Sequence, residues 1–259
     1  MRGTIEGKGV KVDLVLSGGA ARGIVHIGVL KALEEIGVEV SSISCVSAGA
    51  IVGTFYSIGY TPEEMMKILR GINWFAILRP KIPKLGFISL KRAEKKLREF
   101  IDRDRIEDLE KKLIICAVDI KTGETLYFSK GDLIPILLGS CALPGIFEPI
   151  EYEDYLLIDG GITNNLPVEP LVDSGRIKIG VEVNPVYFEG KPKGIISILV
   201  RSFLLAVRSN IESRKEMCDI IIEPDLRGYT PLDIGKMEDL YRIGYETTME
   251  VLKDYVRNK

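Results

Sequence analysis

The sequence has little histidine, no closely spaced cysteine pair and a small net charge. It has a single histidine, His26, and a formal net charge of −2 over 259 residues. The near-neutral charge argues against a general nucleic-acid binder. No C-x-x-C pair occurs, so we expect free thiols rather than a zinc site or a disulfide framework. The four scattered cysteines are Cys45, Cys116, Cys141 and Cys218.

Long apolar segments are also missing. No apolar run approaches the roughly 20 residues that span a bilayer, and residues near the N-terminus lack the apolar core of a signal peptide. The most apolar region, residues 195–207, is interrupted by Arg201. We therefore expect a cytoplasmic protein whose contact with membranes, if it has any, is peripheral.

Short apolar strands alternate with helical segments along the whole chain. Residues 11–16 are typical of a buried strand, and a helix with an apolar stripe follows and ends at Gly37. The same alternation continues to a closing helix over about 236–256. It predicts an α/β fold with a mostly parallel sheet. Since no repeat or low-complexity linker interrupts it, residues 1–259 are predicted to form one domain.

A long helix is predicted from Ile195 to about Lys215. One of its faces is broadly apolar, with Ile198, Leu204 and Val207 among its members. We expect this face to pack on the core rather than to form an acyl groove.

One serine lies where a predicted strand meets a predicted helix. The strand covers residues 38–46, Ser47 follows it, and the helix runs from about Ala48 to Ile58. This is the layout of a nucleophile elbow, in which the hydroxyl stands exposed above the strand end. Cys45 occupies the first glycine position of G-x-S-x-G, and Gly49 keeps the second. The alternative is a serine that only caps the helix.

A glycine-rich loop, residues 17–23, also joins a strand to a helix. It fits a dinucleotide-binding loop poorly, because Ala20 stands at the second glycine position of G-x-G-x-x-G and the expected acidic partner is missing. The Gly-Lys-Ser/Thr of a Walker loop is absent as well. The remaining chemical interpretation is an oxyanion hole, in which backbone N–H groups approach a developing negative charge. A structural turn is the alternative.

A nucleophilic serine needs a group that takes its proton. His26 precedes Ser47, whereas α/β-hydrolases place their histidine after the serine, so we interpret His26 as a packing residue. Asp159 is the carboxylate candidate, because it ends a predicted strand and is followed by Gly160 and Gly161. Asp-Gly also begins ordinary turns, which is the alternative for this residue.

Taken together, these segments resemble the patatin-like phospholipases and, within them, the lysophospholipase/neuropathy target esterase branch. Residues 16–30 resemble the family's glycine-rich oxyanion block, and residues 46–50 (VSAGA) its nucleophile motif. Residues 159–161 (DGG) resemble its D-G-[AG] motif, and residues 141–147 (CALPGIF) a further family segment. The blocks follow the family's order over about residues 11–170.

The resemblance implies a three-layer α/β/α fold and a Ser–Asp dyad that hydrolyses lipid esters through an acyl-enzyme, without metal or cofactor. Ser47 then corresponds to the nucleophile and Asp159 to the general base. The positions implied for the oxyanion hole and its surroundings are Gly18, Gly19, Ala20 and Arg22. The motif positions that support the site are Gly23, Cys45, Gly49, Gly160 and Gly161.

Two positions depart from the family's pattern. Cys45 and Ala20 replace glycines. We expect both turns to survive, because both side chains are small. The methyl group of Ala20 restricts positive φ, which bears on how closely its own N–H approaches the oxyanion.

Residues 70–100 hold nine basic and two acidic residues, a local charge of +7 in a chain of net charge −2. Apolar and aromatic residues such as Trp74 and Phe75 are interleaved with them. This composition favours a mobile flap that meets an anionic membrane surface. The alternative is a solvated helix face with a loop that packs on the core.

The leading hypothesis is a cytoplasmic lipid acyl hydrolase, with lysophospholipase or phospholipase A activity first and a less selective carboxylesterase second. A nucleotide-binding or regulatory α/β protein would use the glycine loop for phosphate. A catalytically silent scaffold is the third hypothesis. The enzyme is favoured because a nucleotide-binding protein needs neither an elbow serine nor Asp-Gly-Gly at a later strand end.

Overall fold

The structure is a computed structural model that describes residues 9–77, 85–184, 191, 194–253 and 255. The strands are β1 (Lys11–Leu16), β2 (Glu39–Val46), β3 (Gly86–Ile88), β4 (Lys112–Asp119), β5 (Glu124–Phe128), β6 (Gly145–Phe147), β7 (Ile150–Tyr152), β8 (Tyr155–Asp159), β9 (Ile177–Val181) and β10 (Ile220–Ile222). The helices are α1 (Val25–Glu35), α2 (Ala48–Ile58), α3 (Pro62–Gly71), α4 (Trp74–Ile77), α5 (Lys91–Leu97), α6 (Leu133–Ser140), α7 (Ile195–Ser209), α8 (Glu212–Lys215) and α9 (Met237–Lys253).

The main sheet is mostly parallel, as the alternation of strands and helices predicted. Its strand order is β10-β9-β1-β2-β4-β8-β7, and β5 pairs with β4 outside this path. The strands from β10 to β4 are parallel, whereas β5, β7 and β8 join by antiparallel pairing. β3 and β6 form a separate two-stranded sheet. The α/β prediction is confirmed.

Apolar side chains cover the sheet on both faces. In β1, Val12, Leu14 and Leu16 belong to the large core that α1, α2, α6 and α9 complete. Val15 points to the opposite face, as the two-residue period of a strand requires, and lies in a smaller core with Leu166 and other side chains. The sheet is therefore a middle layer between two coverings, which is the expected arrangement.

The long helix predicted over 195–215 differs from the structure. α7 ends at Ser209 and α8 follows as a separate short helix. Core packing holds only for its second half, where Leu204 is buried. In its first half Ile195 is 69% and Ile198 52% exposed. The reason is that α7 packs on β6 and on the turn after β8 rather than along the sheet. Among the described helices, none is both long and apolar enough to cross a bilayer.

Candidate active site

Ser47 immediately follows β2 and has an unusual backbone conformation. Its φ is 53° and its ψ is −124°, a region that costs a residue with a side chain about 1–3 kcal/mol. The Ser47 side chain makes no capping hydrogen bond to α2, so the alternative of a simple helix cap does not describe this serine. The strained turn instead presents the hydroxyl to another part of the chain.

The register of the sheet brings Ser47 to Asp159. β2 and β8 both pair with β4, and they do so from opposite directions: Val46 lies opposite Cys116, and Asp159 lies opposite Ala117. The two strands therefore end at neighbouring levels of β4. The Ser47 hydroxyl approaches the Asp159 carboxylate closely enough to favour its ionised form.

Asp159 is a buried carboxylate with a raised pKa. Its exposed fraction is 2%, and burial raises its pKa to about 7, although hydrogen bonds from Ser47 and from the Gly161 N–H act in the opposite direction. The Gly161 N–H donates to Asp159 Oδ1 at 2.9 Å, so the turn role that Asp-Gly suggested is also present. A carboxylate with a pKa near neutrality can accept a proton from a hydroxyl at physiological pH.

The end of α6 holds the backbones of both residues. The Ser47 N–H donates to Ser140 Oγ at 2.9 Å, and that hydroxyl donates to the Cys116 carbonyl at 2.7 Å. The Asp159 N–H donates to the Ala142 carbonyl at 3.0 Å. One segment thus fixes the backbones of Ser47 and Asp159 relative to each other.

The glycine loop packs directly against Ser47. A Cβ placed on Gly18 would lie 2.9 Å from the Ser47 Cβ, so a larger residue would collide with the serine. Gly18 and Gly19 are buried, and their N–H groups donate to no acceptor in the described part of the chain, whereas those of Ser17 and Ala21 are bonded to carbonyls. Buried, unpaired N–H groups are costly, and this pair beside Ser47 is available to an anion.

Both departures from glycine are accommodated. Ala20 adopts φ 51°, the left-handed conformation that its methyl group disfavours, and the loop still forms its turn. Cys45 is buried and its thiol donates to the Ile114 carbonyl at 3.4 Å. Its side chain also packs beside Gly53 of α2, so it lies under the elbow.

Arg22 and His26 support the loop from within the fold. Arg22 donates through Nε and Nη2 to the Tyr229 carbonyl at 3.0 and 2.8 Å, and burial lowers its pKa to about 10. His26 donates through Nε2 to the Ser17 carbonyl at 2.8 Å, and burial lowers its pKa to about 4. His26 is therefore a neutral packing residue, as the sequence predicted, and Arg22 ties the loop to the segment before α9.

Several polar residues of the site carried no motif signal. The Asn165 and Asn184 side chains both donate to the Gly18 carbonyl, and Asn210 Oδ1 accepts from the Asn165 N–H at 3.0 Å. Asn165 lies in the loop after β8 and Asn184 in the loop after β9, and neither position has a local pattern that singles it out. The described residues contain no group of three His, Cys, Asp or Glu side chains that could hold a metal ion.

The basic segment 70–100 is described in part. Arg79, Lys81 and Lys84 lie outside the described residues. Of the others, Arg70 pairs with Glu238 at 2.7 Å, and Lys96 and Arg98 pair with neighbouring glutamates. Leu85, just before β3, is 66% exposed. Basic and apolar side chains are thus both at the surface of this segment.

Comparison with known proteins gives consistent results. A family model described as patatin-like phospholipase matches residues 14–172. An uncharacterized NTE family protein of Mycobacterium tuberculosis is 34% identical over 178 residues, which cover 67% of this chain and 49% of that protein. The lysophospholipase nte1 of Aspergillus fumigatus is 27% identical over 270 residues, which cover 92% of this chain and 18% of that protein. The chain thus spans about half of the mycobacterial relative and under a fifth of the fungal one.

Solved structures share the fold at low sequence identity. VipD from Legionella pneumophila superposes with a TM-score of 0.61 and 16% identity, over 96% of this chain and 67% of that chain. ExoU in complex with SpcU, from Pseudomonas aeruginosa, gives a TM-score of 0.52 and 15% identity, over 97% of this chain and 54% of that chain.

Proposed function

The chain belongs to the patatin-like phospholipase family, and from this premise we propose that it hydrolyses carboxylic esters of phospholipids and lysophospholipids with a Ser47–Asp159 dyad. The observation that carries the proposal is the buried Asp159 carboxylate, with a pKa raised to about 7, beside the hydroxyl of a serine on a strained turn. The fungal relative named as a lysophospholipase supports lysophospholipid as the first substrate.

The proposed reaction has two halves that use the same base. Ser47 Oγ attacks the ester carbonyl carbon while Asp159 takes its proton, and the N–H groups of Gly18 and Gly19 hold the oxyanion. Asp159 then gives the proton to the leaving alkoxide. Asp159 then takes a proton from water, which attacks the acyl-enzyme carbonyl carbon. The bond between Ser47 Oγ and the acyl group breaks, the fatty acid leaves, and Asp159 returns the proton to Ser47 Oγ.

The arrangement favours a dyad over a triad. His26 is buried beneath the loop and bonded to Ser17, so its imidazole is committed to a backbone carbonyl. In triad enzymes an imidazole is the base. In the proposed dyad the buried Asp159 carboxylate takes that role, because it is ionised near neutral pH and still basic enough to take a proton. Each oxyanion donor contributes about 3 kcal/mol to the transition state.

A lipid substrate also suggests a function for the basic segment, residues 70–100, which is contact with the membrane. We place peripheral contact with an anionic membrane on residues 70–100, where the charge is +7 and Leu85 is exposed. The exposed apolar side chains of α7, including Ile195 and Ile198, would add to this contact. Basic residues near such a surface contribute about 1 kcal/mol each.

Hydrolysis of lysophosphatidylcholine, phosphatidylcholine and a short p-nitrophenyl ester tests the proposal. The wild type is expected to cleave all three esters, while S47A and D159N lose at least about 10³-fold in kcat/KM with folding intact. S57A is the matched control, because Ser57 is also a buried serine but has no part in the proposed reaction. The activity of S57A should equal that of the wild type. Residual high activity in S47A would refute the dyad, and cleavage of the p-nitrophenyl ester alone would favour the carboxylesterase.

A further inference from the structure

The carbonyl oxygen of Gly18 accepts two side-chain hydrogen bonds from distant parts of the chain. Asn184 Nδ2 donates to it at 2.7 Å and Asn165 Nδ2 at 3.3 Å. Asn184 lies after β9, and Asn165 lies in the loop that follows β8. Two carboxamides therefore converge on one backbone oxygen, and rotation of that peptide would break both bonds.

The same peptide unit carries the N–H of Gly19. In a planar trans peptide, the carbonyl of one residue and the N–H of the next point in opposite directions, and the described backbone has no cis peptide bond. A Gly18 carbonyl held by the asparagines therefore aims the Gly19 N–H away from them. Gly19 is a buried residue, and its N–H has no acceptor among the described residues, so this N–H is free for an oxyanion.

Asn165 is wedged between the two loops that form the site. Its side chain is 1% exposed. A Cβ on Gly18 would lie 2.7 Å from Asn165 Oδ1, and a Cβ on Gly161 would lie 2.6 Å from the same atom. The Asn165 N–H is itself held by Asn210 Oδ1 at 3.0 Å. The carboxamide thus sets the spacing between the glycine loop and the loop that follows Asp159.

Asn184 is held in one orientation by Glu182. Asn184 Nδ2 donates to Glu182 Oε1 at 2.7 Å, and the Asn184 backbone N–H donates to the same oxygen at 2.6 Å. Both N–H bonds of the carboxamide are then used, one on Glu182 and one on Gly18. Because Glu182 is buried, this arrangement is shielded from water.

We infer that Asn165 and Asn184 are positioning residues that lock the Gly18–Gly19 peptide in the orientation that stabilises the oxyanion. They act through the backbone and do not touch the reacting atoms. The inference rests on the proposed function, since it concerns the transition state of ester hydrolysis. This positioning role differs from a purely structural one, because the orientation of the peptide governs stabilisation of the transition state rather than binding of the substrate.

The test measures kcat, KM and inhibition by a long-chain alkyl trifluoromethyl ketone for N165A and N184A. The inhibitor accepts Ser47 Oγ at its carbonyl carbon and so creates a stable oxyanion. Active sites are counted by fluorophosphonate titration at completion, which removes any effect of partial unfolding. N165D and N184D keep the side-chain volume and remove the donor, and they serve where an alanine variant does not fold.

N164A is the matched control. Asn164 is adjacent and equally buried, but its carboxamide donates to Tyr127 and Glu169 at 2.7 Å each. For N165A and N184A we expect kcat per active site to fall about 10- to 100-fold, KM to change less than about threefold, and inhibitor Ki to rise with the loss in kcat. N164A should keep its kcat and its Ki.

An unchanged kcat per active site in both variants overturns the inference, as does an equal loss in N164A or a change confined to KM. A wild type that hydrolyses no ester overturns the proposed function and the inference with it. An active wild type with unaffected variants overturns the inference alone.

Discussion

At the scale of single residues, burial determines which groups can do chemistry. His26 and Asp159 are both buried, and in each case burial disfavours the charged form: it lowers the pKa of the imidazole to about 4 and raises that of the carboxyl to about 7. The same physical effect removes the histidine from acid–base work at neutral pH and brings the aspartate into the useful range.

The proposed role of Asp159 as the base gives a prediction for the pH dependence of hydrolysis. The base must be ionised to accept the Ser47 proton, and its pKa is about 7, so kcat/KM should fall about tenfold per pH unit below that value and level off above it. Steady-state rates between pH 5 and 9 on a water-soluble ester check this. E182Q is the control, because burial also raises the pKa of Glu182, to about 8; the limb near 7 should persist in this variant. A flat profile, or a limb that E182Q abolishes, would be inconsistent with Asp159 as the base.

Residue motifs singled out part of the candidate site but not the asparagines that contact it. Ser47, Asp159 and Gly18 could be singled out because each stands at a strand end in a recognisable local pattern. Asn184 could not, because its role depends on β9 returning beside β1, a pairing that local sequence does not encode. The shifted pKa of Asp159 likewise depends on what covers it.

At the scale of secondary-structure elements, α1, the helix that follows the glycine loop, crosses α9 at close range. A Cβ on Gly28 would overlap the Tyr241 carbonyl oxygen, and a Cβ on Gly244 would overlap the Val25 carbonyl oxygen. The two backbones are in direct contact, and each helix needs a residue without a side chain at that point.

The helix crossing gives a stability prediction. G28A and G244A should each lower the free energy of unfolding by at least about 2 kcal/mol, because the helices must separate or bend. Urea denaturation measures this. G71A, at the exposed end of α3 with nothing within 4 Å of the added Cβ, should be neutral or stabilising by up to about 1 kcal/mol. Equal effects in the three variants would rule out the close crossing.

Element boundaries were predicted best where local chemistry is explicit. The helix expected from Ala48 to Ile58 has those bounds in the structure. The helix over 195–215 was predicted less well, since an apolar face in the sequence does not show what the face contacts. Half of that face meets solvent because α7 rests on a turn rather than on the sheet.

At the scale of the whole molecule, alternating strands and helices were enough to predict an α/β layout with a mostly parallel sheet. The strand that ends at Asp159 was predicted, but its antiparallel direction and its partner β7 were not, because β7 and β8 are short and joined by a tight turn. These strands position Asp159, because β8 ends at this residue and runs in the direction opposite to β2. That residues 1–259 form one domain stays a prediction.

Charge asymmetry gives a prediction for the whole molecule. Sedimentation with liposomes should be stronger when they contain anionic lipid, and K91E/R92E should weaken it, since both side chains are exposed and lie in the +7 segment. K121E/K130E makes the same charge change at exposed sites elsewhere and should bind like the wild type. Binding that does not depend on lipid charge, or an equal loss of binding in both variants, would show that residues 70–100 do not form the membrane contact.

The proposed roles of Ser47 as the nucleophile and of Asp159 as the base that activates it can be tested together. Reaction with a fluorophosphonate, followed by peptide mass spectrometry, tests this most directly. We expect one adduct, on the peptide that contains Ser47, absent in S47A and formed much more slowly in D159N. An adduct on another residue, or undiminished labelling of S47A, would contradict it.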